Sequence, residues 1–112
     1  MSDKGYKQLQ ESILRKKTSE KLLERKLREA IKKLGGKALK FSSPYETGYP
    51  DRLILMPRGR IYWAELKTTG KKPTEKQLLR QLELRSLGFV SEVIDSIGTL
   101  NNFLMRLENE RE

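Results

Sequence analysis

The chain of 112 residues contains no cysteine and no histidine. Without cysteine it has no disulfide framework, no thiolate nucleophile and no cysteine-bound zinc. Without histidine it has no Ser-His-Asp triad, no imidazole base and no imidazole metal ligand. Catalysis would therefore depend on carboxylates, lysine, hydroxyls or amides. A bound metal would be a hard, oxygen-preferring cation such as Mg²⁺ or Mn²⁺.

Long apolar runs are missing as well. Hydrophobic residues make up 36% of the chain, which suits one modest core. No run reaches the about 18 apolar residues that a transmembrane helix needs, and the first residues lack the apolar stretch of a signal peptide. We therefore expect one compact domain in the cytoplasm.

Positive charge is in excess and unevenly distributed. The net charge is +9, and residues 1–40 carry 13 Lys and Arg against 5 Asp and Glu, a balance of +8. Residues 41–112 carry 11 against 10, a balance of +1. The basic N-terminal third indicates a polyanionic partner, most simply nucleic acid. The alternative is a solvated helical face that only keeps the protein soluble.

Hydrophobic spacing and turn residues predict the order of the elements. Thr18-Ser19 offers a helix N-cap, leucines follow at helical spacing, and Gly35-Gly36 ends that helix. The later predicted elements are strands over 37–42, 52–56 and 60–67, a helix over 74–87, a strand over 89–94 and a helix over 97–107. This order predicts an α/β fold, a mixed sheet flanked by helices. Residues 1–18 would be a basic tail or an extra helix, and 19–112 the domain.

The predicted hairpin brings three charged residues together. With 57–59 as a three-residue turn, in which Gly59 takes the positive φ, the strands pair from the turn outward. Asp51 then lies opposite Glu65, on the same sheet face, with Cβ atoms roughly 5 Å apart. Lys67 joins that face because it is two residues further along the strand.

Two carboxylates and a lysine at one end of a hairpin suit a metal-dependent reaction. The adjacent carboxylates repel each other, and a divalent cation relieves that repulsion and acidifies a bound water. Lys67 would stabilise the charged transition state or position the attacking water. The chemistry that this arrangement predicts is phosphodiester hydrolysis. The alternative is that Glu65 and Lys67 form an ordinary surface ion pair and Asp51 only serves a turn.

These residues also match a known family. The segment Gly48-Tyr49-Pro50-Asp51, then Glu65-Leu66-Lys67, then Gln77, resembles the VRR-NUC (virus-type replication–repair nuclease) family. That family belongs to the PD-(D/E)xK superfamily of restriction-endonuclease-like folds. The resemblance spans roughly residues 19 to 97. It is supported by the stretches 35–36, 40–44, 59–60, 70–73 and 87–89 and by Arg52.

The resemblance implies a role for each motif position. Asp51 and Glu65 would be metal ligands, and the carbonyl of Leu66 would complete the set around Mg²⁺ or Mn²⁺. Lys67 would be the catalytic lysine. Gln77, on the following helix, would hold the site together or touch the scissile strand.

The superfamily places a further acid on the first helix, and two residues qualify. Glu20 and Glu24 lie four residues apart on one helical face. The segment from Glu24 to Leu27 matches the spacing to the glycines in related junction resolvases, which favours Glu24. Glu20 also has the simpler explanation of a first-turn acid. Tyr49 stands where the family more often has a small aliphatic residue, which would alter the wall of the site.

Stand-alone members of the family are typical of phage and prophage genomes. They are similar to Holliday-junction resolvases, which are homodimers that cut branched DNA. The resemblance therefore implies a branched DNA substrate and a second copy of the chain as partner. The dimer surface would come from Leu9, Ile13 and Leu14, or from the last helix with Phe103 and Leu104. Each of these sets could equally be the edge of an ordinary core.

Four basic residues flank the predicted site and are the expected phosphate contacts: Lys40, Arg52, Lys71 and Lys72. No base-reading motif is visible, so recognition would depend on the DNA backbone and shape. The rival function is a non-catalytic DNA-binding module. The three motif residues favour an enzyme, because a simple binder gains nothing from acids that face phosphate.

Overall fold

The computed structural model describes Gly5 and residues 17–110 of the chain. Its elements are α1 (Glu20–Lys33), β1 (Lys37–Lys40), β2 (Arg52–Met56), β3 (Arg60–Leu66), α2 (Glu75–Ser86), β4 (Val90–Ile94) and α3 (Ile97–Asn109). The predicted α/β class and order of elements are confirmed. The predicted tail or extra helix, with Leu9, Ile13 and Leu14, lies outside the described residues.

The four strands form one mixed sheet in the order β1-β2-β3-β4. Strands β1, β2 and β3 are antiparallel to their neighbours, whereas β3 and β4 are parallel and are connected through α2. Helices α1 and α3 pack on one face of the sheet, over Ala64 and Leu66. Helix α2 lies against the other face, where Gln77 reaches Glu65. The strand–helix–strand connection therefore carries α2 to the face that bears the acidic residues.

Helix α1 has the expected start, apolar stripe and end. The Ser19 hydroxyl accepts a hydrogen bond from the Leu22 amide at 3.2 Å, which satisfies one free donor of the first turn. Leu23, Leu27 and Ile31 recur every fourth residue and are fully buried against the sheet. Burial of each such side chain stabilises the fold by about 1.5–3 kcal/mol.

The core lies between the sheet and the pair α1 and α3. Phe103 is 3% exposed and belongs to this core, and Leu104 packs against it. The sequence left two explanations open for Phe103 and Leu104, a dimer surface or the edge of an ordinary core. The structure shows that they belong to the core. Among residues 17–110, no helix is long and apolar enough to cross a membrane.

The hairpin turn differs from the expected one in a single detail. Met56 pairs with Arg60, as a three-residue turn requires. Both Arg58 (φ 68°) and Gly59 (φ 71°) adopt the left-handed conformation, whereas the sequence predicted it for Gly59 alone. Elsewhere β1 is shorter than predicted and ends at Lys40, because the chain leaves the sheet for the loop that leads to β2.

Candidate active site

The predicted pairing of the hairpin places Asp51 beside Glu65. Arg52 pairs with Ala64, so the next residue outward on each strand is Asp51 and Glu65. The Asp51 amide donates a hydrogen bond to Glu65 Oε2 at 3.0 Å. The Leu66 amide donates to Asp51 Oδ1 at 3.1 Å. The Glu65 carboxylate is thus oriented by the Asp51 amide and the Asp51 carboxylate by the Leu66 amide, at the point where β2 begins and β3 ends.

The Glu65 carboxylate has three partners and little contact with solvent. Only 8% of the residue is exposed. Besides the Asp51 amide, its Oε1 accepts from Gln77 Nε2 at 3.1 Å, and Lys67 Nζ lies 3.7 Å from the same oxygen. Four residues of the predicted site therefore meet at one carboxylate, on the sheet face that α2 partly covers.

Both the oxygen and the nitrogen of the Gln77 side-chain amide form hydrogen bonds. It occupies the third position of a capping box, so its Oε1 accepts from the Thr74 amide at 2.8 Å, and the Thr74 hydroxyl accepts from the Gln77 amide. Its Nε2 is then left to donate to Glu65. The start of α2 therefore sets the orientation of the Glu65 side chain.

The surroundings of Glu65 oppose its negative charge. Burial is the main cause, followed by the charge of Asp51, and together they raise the pKa of Glu65 from 4.5 to about 7. The hydrogen bond from the Asp51 amide and the charge of Lys67 act in the lowering direction. The two acids therefore hold full negative charge together only at a cost, which a divalent cation between them would relieve. The atoms of Asp51 and Glu65 that would coordinate a cation are all oxygen atoms, so this pair of residues fits Mg²⁺ or Mn²⁺.

The raised pKa of Glu65 predicts a pH-dependent stability of the metal-free protein. The folded state binds a proton that the unfolded state releases, so this contribution to stability is full below pH 4.5 and is lost as pH rises through about 7. We expect the free energy of unfolding in EDTA to decrease between pH 4.5 and about 7. In the Glu65→Gln variant this decrease should be smaller. Denaturant titrations across the window measure it. Parallel curves for the two proteins would mean that Glu65 does not carry the effect.

The two acids of the first helix lie in different surroundings. Glu24 is engaged by two arginines, since its Oε1 lies 3.2 Å from Arg28 Nη1 and 3.9 Å from Arg52 Nη2. Glu20 lies at the helix start, where its amide donates to the Thr68 hydroxyl at 3.3 Å. Its charge is one of the causes that raise the pKa of Glu65. The charge of Glu20 is the smallest of those causes, and no contact joins Glu20 to Glu65 among the described residues, whereas the sequence spacing favoured Glu24.

Neither acid completes a three-carboxylate cluster. Within the part of the chain that the structure describes, no group of three or more acidic side chains is placed to hold one ion. Asp51 and Glu65 are brought together with Lys67 and Gln77, and Glu20 and Glu24 remain outside that group. The orientation of α1 relative to the hairpin determines where Glu20 and Glu24 lie, and helical spacing alone does not predict that orientation.

Three of the predicted phosphate contacts are exposed and one is buried. Lys71 and Lys72 lie in the exposed loop after β3, and Lys40 is exposed at the end of β1. The Arg52 side chain is only 9% exposed and its Nη1 donates to the Asp51 carbonyl at 3.2 Å. Arg52 pairs with Ala64, so it points to the α1 side of the sheet and away from Glu65. Its guanidinium supports the start of β2 and is turned from solvent.

Contacts of Tyr49 reveal a connection that the sequence did not predict. The Tyr49 hydroxyl donates to the Glu83 carboxylate, and the Arg80 guanidinium lies 4.7 Å from the centre of the Tyr49 ring. Arg80 Nε also donates to the Thr47 carbonyl at 3.0 Å. A Cβ at Gly48 would come within 2.9 Å of a Lys76 side-chain atom, so only glycine fits here. These contacts join the loop before Asp51 to α2, the helix that carries Gln77.

Tyr49 should act as a positioning residue through this connection. In Tyr49→Phe the ring remains but the hydrogen bond to Glu83 is lost, so α2 is held less firmly beside Asp51. We expect the turnover number of the reaction predicted for this site to fall by about 3- to 10-fold with KM unchanged. Tyr45→Phe is the control, because the Tyr45 side chain is 94% exposed. A rise in KM with unchanged turnover would instead place Tyr49 in contact with the substrate.

The chain is similar to known proteins in sequence and in structure. It is 43% identical over 74 residues to "Putative nuclease p44" of Acyrthosiphon pisum secondary endosymbiont phage 1, a match that covers 66% of this chain and 80% of that protein. It also superposes on a solved structure described as "VRR_NUC domain" with a TM-score of 0.71 and 26% identity, covering 85% of this chain and 100% of the other. No family model matches the chain.

Proposed function

The chain belongs to the VRR-NUC nuclease family, and we propose that it is a metal-dependent endonuclease that hydrolyses phosphodiester bonds in branched DNA. The observation that carries this proposal is the pair of adjacent carboxylates, Asp51 and Glu65, with Lys67 and Gln77 at the same Glu65 oxygen. The negative charges of Asp51 and Glu65 repel each other, and this repulsion suits a cation site better than a structural ion pair.

Magnesium or manganese is the proposed cofactor. Asp51 and Glu65 would hold it through their carboxylates, and the Leu66 carbonyl would provide a third oxygen. When bound, such a cation supplies positive charge to the phosphate and lowers the pKa of water. Glu20 is the proposed further acid, because its charge acts on Glu65.

The chain's own residues orient and stabilise the reaction. Gln77 and the Asp51 amide hold the Glu65 carboxylate in one orientation, so little reorganisation is needed when DNA arrives. Lys67 Nζ lies 3.7 Å from Glu65 and its side chain is 18% exposed, so it can turn to a non-bridging oxygen of the scissile phosphate. There its positive charge would stabilise the negative charge that develops in the transition state.

DNA would be bound through its backbone. Lys40, Lys71 and Lys72 are exposed and would contact phosphates on either side of the site. Binding should weaken steeply with salt, as expected for a chain with a net charge of +9. A homodimer would present two sites for two symmetric nicks in a four-way junction. The phage relative supports a place of action in the cytoplasm of a host cell.

Cleavage of labelled DNA in the presence of Mg²⁺, Mn²⁺ or EDTA tests the proposal. The substrates are a four-way junction, a flap and a linear duplex of matched length and sequence. We expect paired nicks in the junction with either metal and none in EDTA. Cleavage of the duplex at the same rate would contradict a preference for branched DNA. Tight binding without cleavage under any metal would contradict the enzyme and leave a DNA-binding module.

The choice between Glu20 and Glu24 can be tested with matched amide variants. Glu20→Gln should weaken Mn²⁺ binding and reduce cleavage by about 10-fold, because a charge that acts on Glu65 is removed. Glu24→Gln should leave Mn²⁺ binding unchanged, since Glu24 is engaged by Arg28. Isothermal titration with Mn²⁺ and cleavage assays measure both effects. The reverse result would make Glu24 the acid of the site.

A further inference from the structure

The lysine proposed to act in the reaction lies just beyond the end of its strand. Strand β3 ends at Leu66, so Lys67 is the first residue of the loop that leads to α2. The lysine side chain is long and flexible, so the contact of its Nζ with Glu65 at 3.7 Å does not by itself fix the position of the ammonium group. That position also depends on how the backbone at Lys67 is held.

The backbone around Lys67 is attached to the end of β4 at two points. The Lys67 amide donates a hydrogen bond to the Ile94 carbonyl at 3.0 Å. Two residues further along the loop, the Thr69 hydroxyl donates to the Asp95 carbonyl. Residues 67 and 69 therefore bond to consecutive carbonyls of the neighbouring chain. The second attachment depends on a side-chain hydroxyl, which only serine or threonine provides at this length.

The same hydroxyl also binds the segment that precedes α1. Thr69 Oγ1 accepts a hydrogen bond from the Thr18 amide at 2.9 Å, and the Thr69 amide donates to the Thr18 carbonyl at 3.1 Å. Thr18 is only 6% exposed, so these bonds are sheltered from water. One hydroxyl thus connects three segments of the chain: the start of α1, the loop after β3 and the end of β4.

The Asp95 end of this connection is itself firmly held. The Asp95 amide donates to Thr99 Oγ1 at 3.0 Å, and Thr99 belongs to the capping box that begins α3. Helix α3 is packed into the core through Leu100 and Phe103. The Thr69 hydroxyl therefore attaches the loop to a part of the structure that packing fixes in place.

Thr69 separates this attached part of the loop from an exposed part. Gly70 follows with a φ of 94°, is exposed, and an added Cβ there would meet no described atom within 4 Å. Lys71 and Lys72, which are proposed to contact DNA phosphates, come next. A shift of these lysines when DNA binds would reach Lys67 through the backbone, and the hydrogen bonds of Thr69 lie between them.

We propose that Thr69 is the positioning residue for Lys67: by bonding to the Asp95 carbonyl and the Thr18 amide, its hydroxyl fixes the point from which the lysine reaches the scissile phosphate. This deepens the proposed function and rests on it for the effect on cleavage. A displacement of about 1 Å at the reacting groups is enough to slow a reaction strongly. Loss of the hydroxyl should therefore slow the chemical step and leave DNA binding unchanged.

Single-turnover cleavage by Thr69→Val at saturating Mg²⁺ tests the effect on the reaction. Valine keeps the shape of threonine and removes both hydrogen bonds of the hydroxyl. We expect the maximal rate to fall by about 10-fold, with the DNA concentration for half-maximal rate unchanged. Thr69→Ser should restore the rate to within about 2-fold of the wild type. A wild-type rate in Thr69→Val, or no rescue by serine, would overturn the proposal.

Tyr62→Phe is the matched control for a loss of stability. It also removes a buried hydroxyl, because Tyr62 is 3% exposed and its hydroxyl donates to Glu110 Oε2 at 2.7 Å. The Tyr62 ring packs against Phe103 of α3, on the sheet face opposite Glu65. This variant should have a lower thermal midpoint and an unchanged rate. An equal loss of rate in Tyr62→Phe and Thr69→Val would mean that Thr69 only stabilises the fold.

A double variant tests whether Thr69 acts through Lys67. In the Lys67→Met protein there is no ammonium group to position, so adding Thr69→Val should change the remaining rate by less than about 2-fold. A further loss of about 10-fold in the double variant would show that Thr69 acts on another part of the site, and would overturn the proposal.

Hydrogen exchange of the Lys67 amide, followed by NMR without DNA or metal, tests the attachment independently of cleavage. In Thr69→Val we expect this amide to exchange at least about 10-fold faster relative to the amide of Ile54, which lies in the core. Unchanged exchange would overturn the proposal whether or not the protein cuts DNA. Faster exchange in a protein that cuts no DNA would support the attachment and contradict the proposed nuclease.

Discussion

Replacement of Asp51 by asparagine should reduce DNA cleavage by on the order of 10³-fold, the largest effect that we expect from a single substitution. Asparagine can still accept the hydrogen bond that the Leu66 amide donates to Asp51 Oδ1. It lacks the negative charge that a divalent cation needs beside Glu65. Cleavage of the four-way junction in Mg²⁺ and in Mn²⁺, together with Mn²⁺ titration, measures the loss of activity and of metal binding.

The same substitution should stabilise the metal-free protein. The charge of Asp51 helps to raise the pKa of Glu65, so its removal relieves a repulsion that the folded state contains. We expect the thermal midpoint in EDTA to rise for Asp51→Asn and to remain unchanged for the control Glu29→Gln, an exposed acid on α1. An active Asp51→Asn protein, or one that is destabilised in EDTA, would contradict the assignment of Asp51 to a cation site.

Replacement of Lys67 by methionine should separate chemistry from metal binding. We expect cleavage to fall by about 10²- to 10³-fold, because the transition state loses a positive charge. Metal affinity should stay the same or increase, since Lys67 Nζ lies 3.7 Å from Glu65 and competes with a cation for that carboxylate. Single-turnover cleavage at saturating metal and Mn²⁺ titration give the two quantities.

Lys71→Met is the matched control for Lys67. Lys71 is exposed in the loop that follows β3, so its loss should weaken DNA binding and reduce the salt dependence of that binding, with turnover at saturating DNA unchanged. If Lys67→Met behaved in the same way, Lys67 would be one more phosphate contact and would have no part in the chemical step.

Local patterns predicted most of the fold. The Ser19 cap, the buried leucines of α1 and the glycines after it are short-range signals that act within a few residues. The turn between β2 and β3 is likewise local, and its length sets the pairing of the two strands. That pairing brings Asp51 and Glu65 together, so the central pair of the site was predictable from spacing alone.

The family resemblance predicted Gln77 as a residue of the site, because residue spacing alone could not connect it to the hairpin. Gln77 lies on α2, and only the packing of α2 against the sheet places its amide at Glu65. The same packing produces the contact of Tyr49 with Glu83, which joins residues 34 positions apart. Contacts over such separations depend on how elements pack, and periodicity within one element does not encode this.

The sequence by itself therefore determined the order of the elements, the register of the hairpin and the meeting of two carboxylates with a lysine. The tertiary structure decided the rest. The orientation of α1 couples Glu20 to Glu65 and leaves Glu24 with Arg28. Arg52 turns toward the core. Of the leucines of α2, which by pattern could all have been core, only Leu84 is buried, whereas Leu78, Leu79 and Leu82 face outward.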